Sequence, residues 1–114
     1  MTVSDLGELS VRQLRARQRQ LARGLADPAV TLRGVLLSKG RRCSSEGCRC
    51  RRGELHGPYS YLAIYSEGRS RTIYVPSAEQ AVVAEHVQAT QHNDVVLAEI
   101  SQINLDLLKR RALG

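Results

Sequence analysis

The sequence predicts an α+β fold: an N-terminal helix, a small three-stranded antiparallel sheet carrying an inserted zinc-knuckle-like loop, and a long, coiled-coil-like C-terminal helix. Three observations lead to it. Apolar residues recur at helical spacing near both ends, two β-rich runs flank a Glu-Gly turn in the middle, and Cys43, Cys48, Cys50 and His56 crowd together just before that hairpin. At 114 residues the chain fits one domain, 1–114, with a modest core. It has four Tyr and neither Phe nor Trp, so Leu, Val, Ile and Ala must fill that core, which a metal or a partner chain often completes.

The first helix is expected over 10–26. Ser10-Val-Arg-Gln13 can form a capping box, and Val11, Leu14, Gln18, Leu21 and Leu25 then step by three and four along one stripe. Asp27-Pro28 ends it, because the proline ring disfavours helical geometry in the residue before it. Arg12, Arg15, Arg17, Arg19 and Arg23 are expected to form its solvated face, a second nucleic-acid surface being the other reading.

The sheet is expected over 33–76, with a first strand from Arg33 to Ser38, the metal loop at 41–58, and a hairpin of Tyr59 to Tyr65 and Arg69 to Val75. If Tyr65 opposes Ser70, then Ala63 opposes Thr72 and Tyr61 opposes Tyr74. That register puts Tyr59, Tyr61, Tyr65 and Tyr74 on one face and Leu62, Ile64, Ile73 and Val75 on the other. The tyrosine face is expected to pack against a helix with its hydroxyls at the rim, the alternative being a stacking platform for single-stranded bases.

The C-terminal helix is expected over 77–111, opened by the capping box Ser77-Ala-Glu-Gln80 and roughly 50 Å long at ~1.5 Å per residue. Val82, His86, Ala89, Asn93, Val96, Ile100, Ile103 and Leu107 step along it as a heptad seam, from which Asn93, Val96, Ile100, Ile103 and Leu107 are taken as an oligomer interface, a dimer being favoured. An inward Asn93 would fix its register. The competing reading is a break between two helices at Gln91-His-Asn-Asp94, which is polar and poor in helix formers.

The cysteine loop carries the chemistry. Zinc accepts three thiolates and one imidazole at tetrahedral corners, so Cys43, Cys48, Cys50 and His56 are the expected ligands of a structural Zn2+ with no open position. Arginines nearby would relieve the excess negative charge and help deprotonate the thiols. The C-x4-C-x-C spacing is not that of common zinc fingers; small buried thiols with His56 capping a His-Gly-Pro turn, or a Cys48–Cys50 redox pair, are the alternatives.

Charge points to a polyanion. The net charge is +6, and residues 33–58 hold seven basic residues against two acidic, a net +5, whereas 77–114 hold three against five, a net −2. Arg33, Lys39, Arg41, Arg42, Arg49, Arg51 and Arg52 are therefore the expected nucleic-acid contacts, compensation of thiolates being the plainer role. No apolar run is long enough to cross a bilayer and the start lacks a basic and apolar leader, so a cytoplasmic protein with no membrane partner is expected, in which clustered thiols suit metal better than disulfides. Paired carboxylates, a P-loop and a nucleophile with a placed base are all missing from the sequence, which argues against an enzyme.

Taken together, Leu32-Arg-Gly, Arg42-Cys43-x4-Cys48-Arg-Cys50, Gly53-Glu-x-His56-Gly-Pro-Tyr59-x-Tyr61-Leu62 and Tyr74-Val-Pro76 before a long helix resemble a family of small bacterial and archaeal proteins catalogued as a domain of unknown function. The resemblance covers about 30–110 and implies that the three cysteines and His56 are the metal ligands, and that the protein is encoded near transposases or recombinases. Ser44-Ser45-Glu46-Gly47 departs from the Gly-Lys-Pro-Asn type of turn in the relatives, and its Glu46 argues against phosphate contact there. The expected function is a non-enzymatic, zinc-stapled nucleic-acid-binding accessory or regulatory protein of a mobile element, binding DNA rather than RNA and pairing with a recombinase or transposase. The alternative is a protein-interaction or oligomerisation adaptor acting through its long C-terminal helix.

Overall fold

The computed structural model describes residues 3–41, 53 and 56–114. Its elements are α1 (Val11–Arg23), β1 (Val35–Arg41), β2 (His56–Ser66), β3 (Arg69–Val75) and α2 (Gln80–Lys109), with short 3-10 turns at Val3–Glu8, Pro28–Val30 and Ser77–Glu79. The α+β class is therefore as expected. The chain divides into two compact units, one of Met1–Val30 with Ala89–Gly114 and one of Thr31–Gln88, so α2 contributes to both.

In the first unit the Ser10–Gln13 capping box forms in both directions: the Ser10 hydroxyl accepts from the Gln13 N–H at 3.1 Å and the Gln13 side chain accepts from the Ser10 N–H at 2.8 Å. The helix stops at Arg23, three residues short of the expected end, because Gly24 takes its N–H back to the Leu21 and Ala22 carbonyls in a tightened last turn. Beyond it the chain is held by α2. His92 Nε2 lies 2.7 Å from the Gly24 carbonyl, and the Asn93 amide accepts from the Ala26 N–H at 2.7 Å and donates to the Ala26 carbonyl at 3.1 Å. The core of this unit is Leu6, Leu14, Ile103 and Leu107, with Leu9, Leu21 and Ala112 packed around it.

Two corrections arise here. Arg15 and Arg17 are not simple members of a solvated face: Arg15 donates to the carbonyls of Ala112 and Leu113 beyond α2, and Arg17 pairs with Glu99 at 3.2 Å, while Arg12, Arg19 and Arg23 stay exposed. The capping helps satisfy carbonyls that have no partner inside the helix end. In addition, α2 is continuous through Gln91–Asp94, so the expected alternative of a break is overturned. The Asn93 and His92 bonds to the α1 exit use the polar groups that made this stretch look like a loop.

In the second unit β1, β2 and β3 form an antiparallel sheet in that order. Tyr65 faces Ser70, Ala63 faces Thr72 and Tyr61 faces Tyr74, the register the alternation predicts. The hairpin closes on Glu67-Gly68, both at positive φ (54° and 76°), as the mirror-image two-residue turn that suits strand twist requires. Leu62, Val75 and Val87 form the core with Leu32, Leu36, Ile64 and Val83, so the aliphatic face of the sheet packs on the first turns of α2. The Leu32 N–H donates to the His86 carbonyl at 3.2 Å.

The tyrosines lie on the other side, and the expectation that they pack against a helix is corrected for Tyr74 and Tyr65, which are 51% and 73% exposed, while Tyr59 and Tyr61 are half-buried. The reason is desolvation. Covering Leu36, Leu62, Ile64 and Val75 removes apolar side chains from water, whereas covering the tyrosines would require partners for their hydroxyls. A second correction concerns the start of α2. The Ser77–Gln80 capping box is absent; Pro76 leads instead into a 3-10 turn with no side-chain cap bond, its carbonyl accepting from the Glu79 N–H at 2.9 Å.

Candidate nucleic-acid interface

β1 runs to Arg41, longer than the expected strand, and β2 begins at His56, inside the expected metal loop. The β1–β2 ladder pairs Val35 with Ala63, Leu37 with Tyr61 and Lys39 with Tyr59, then shifts register so that Arg41 lies opposite His56. The extra residue sits on β2, where Gly57 has φ 106° and joins Pro58 through a cis peptide. A Cβ on Gly57 would approach the Tyr59 nitrogen to 2.7 Å, so only glycine fits this bulge.

This ladder defines the base of the cysteine loop. Cys43, Cys48 and Cys50, together with Arg42, Arg49, Arg51 and Arg52, lie outside the described residues; of the expected ligands His56 alone is described, half-buried at the first position of β2. Among the described residues no group of three or more His, Cys, Asp or Glu side chains could hold a metal ion. Lys39 and Arg33 are exposed, on β1 and just before it, and Arg41 ends β1.

The strands themselves carry Lys39, Arg41, Arg69 and Arg71 and no acidic residue. Sequence reasoning passes over Arg69 and Arg71; their signal is a two-residue spacing on an edge strand, where charge also discourages edge-to-edge pairing. On the tyrosine face Tyr74 sits edge-on to both Tyr59 and Tyr61, with centroids 6.2 and 5.9 Å away and interplanar angles of 72° and 65°. The Lys39 ammonium lies 4.9 Å from the Tyr61 ring centroid, in cation–π range. Two arrangements result: a basic sheet whose first two strands clamp the ends of the cysteine loop, and a fixed aromatic cluster with a cation on its open face.

Of the seam residues on α2, Val96, Ile103 and Leu107 are buried, Ile100 is half-buried and Asn93 bonds Ala26, all within the first unit. Val82, Val95, Leu97, Leu105 and Leu108 are the exposed large apolar residues of the same helix. Among the described residues no helix is long and apolar enough to cross a membrane.

No curated relative and no solved structure matches this chain. One family model does, over residues 11–85, a stretch that runs from the first residue of α1 through the three strands into α2. The chain belongs to that family, described as a domain of unknown function (DUF6788).

Proposed function

We propose that this chain is a non-enzymatic, zinc-stapled nucleic-acid-binding protein, an accessory or regulatory partner of a mobile-element transposase or recombinase, with DNA as its ligand. The observation that carries the reading is the end of the β1–β2 ladder. Arg41 and His56 face one another there, and Cys43 follows Arg41 by two residues in the sequence. A Cys43, Cys48, Cys50 and His56 set would take its last donor from the start of β2 and its first from two residues beyond β1 in the sequence, so the sheet would meet much of the entropy of closing the loop. Bound Zn2+ would supply a crosslink for a loop with too few apolar residues to fold alone. The chain's own part is to present Arg42, Arg49, Arg51 and Arg52 from a sheet edge that already bears Lys39 and Arg41. The mobile-element association rests on the resemblance of the cysteine and His-Gly-Pro-Tyr pattern.

Fluorescence anisotropy on duplex DNA tests this. Affinity is expected to fall steeply with salt, and the triple variant Arg49→Ala, Arg51→Ala, Arg52→Ala should flatten the log–log slope by about 0.9 for each arginine that touches a phosphate. Binding that ignores both salt and the triple variant would sink the reading.

A second reading has an observation of its own. Leu97, Leu105 and Leu108 are 51%, 44% and 56% exposed on α2, which suits an adaptor that pairs with a second copy or another chain through that helix. Under it, Leu97→Glu with Leu108→Glu should convert an oligomer to monomer in sedimentation while the fold melts as before. Ile103→Asp is a poor probe, because Ile103 is only 1% exposed and its charge would disrupt the core.

A further inference from the structure

We propose that the exposed tyrosine face of the sheet is a stacking surface for unpaired bases, so that the ligand includes single-stranded nucleic acid. This deepens, and rests on, the nucleic-acid reading above. The face is built from β2 residues Tyr59, Tyr61 and Tyr65, from Tyr74 on β3, and from Leu37 and Lys39 on β1. The opposite face is the one that packs on α2; on this one Tyr65 and Tyr74 are exposed and Tyr59 and Tyr61 half-buried.

Three features favour this occupant. Edge-on contacts of Tyr74 with Tyr59 and Tyr61 fix three rings in advance, so little side-chain freedom is lost when a base settles on them. Tyr65 stands four residues along β2 from Tyr61, about 13 Å away at strand spacing, which leaves room for more than one base between the ends of the face. Lys39, opposite Tyr59 in the ladder, holds a cation over Tyr61 on this same face, which complements a phosphate backbone running beside the stacked bases. A second copy docked on the same face would instead bring Lys39 toward its like.

The test uses the full-length protein and its own emission. Every tyrosine of the chain lies on this face and there is no tryptophan, so intrinsic fluorescence reports on it alone. Titration with oligothymidylate should quench that emission. Tyr65→Ala and Tyr74→Ala should each weaken oligothymidylate binding by about tenfold, Tyr65→Phe and Tyr74→Phe should retain it, and affinity for a duplex of equal length should hold within about twofold in all four. Alanine variants that bind oligothymidylate like the wild type, while duplex still binds, would overturn the stacking surface and leave the nucleic-acid reading intact. Failure of the wild type to bind either ligand would remove both. A change in sedimentation with unaltered DNA binding would assign the face to protein contact and overturn the inference.

Discussion

Leu107→Ala should lower the unfolding free energy by about 2–5 kcal/mol, a large share of the roughly 5–15 kcal/mol that holds a domain together. Leu107 is fully buried beside Leu6, Leu14 and Ile103, where a truncated side chain leaves a cavity lined by residues from three separate segments. These segments are also tied by polar groups. The Arg110 guanidinium donates to the carbonyls of Leu6 and Leu9 and pairs with Asp106 at 2.8 Å, so the positions around the cavity are held and cannot easily close over it. Urea unfolding of Leu107→Ala beside Leu105→Ala checks the claim. Leu105 is 44% exposed, and its truncation should cost under about 1 kcal/mol. Equal losses in the two variants would show that the described core does not carry the stability assigned to it.

Chelation of Zn2+ should produce the other large effect. Structural zinc binds peptides of this ligand type with about 10–16 kcal/mol near neutral pH, and where the site does not exist before folding, that energy is folding energy. On the proposed reading, native mass spectrometry should find a zinc ion in each chain, EDTA should remove it with a marked drop in melting temperature, and duplex affinity should fall with it. Cys48→Ser or Cys50→Ser should reproduce the loss, since either removes a thiolate and leaves the remaining ligands short of a tetrahedral set. The coupling of the two readouts is what matters. The ion touches no phosphate in this scheme; it acts by fixing where the arginines stand. A protein that melts and binds identically with and without EDTA would leave the arginines without a scaffold and end the zinc reading.

The hairpin was legible in the chain because two independent constraints agree. Side-chain alternation has a period of two, and Glu67-Gly68 admits the positive φ values that a two-residue turn demands, so the pairing of Tyr61 with Tyr74 has no equivalent competitor. The Ser10–Gln13 box was legible for a similar reason, since it is a local exchange of bonds within four residues. Ser77–Gln80 has the same pattern but becomes a 3-10 turn, because local bonding there competes with how Pro76 directs the chain out of β3. The metal site is legible only as residue types, spacing and a family resemblance, and its three cysteines lie outside the described residues. What the structure adds is the base of that loop, where β2 starts at His56 opposite Arg41.

By itself, the sequence determined the order of helix, sheet and helix, the hairpin register, the concentration of positive charge at 33–58, and the separation of tyrosines from aliphatic residues across the sheet. Only tertiary structure decided which face of the sheet is covered and what meets the apolar stripe of α2. Periodicity states that a face is apolar but not which surface will lie on it. Here Val83 and Val87 choose the aliphatic face and leave Tyr65 and Tyr74 exposed, while Leu6 and Leu14 take up Ile103 and Leu107 within the same chain. Those choices depend on distances between residues far apart in sequence, set by the closing of the whole chain, which no local pattern encodes.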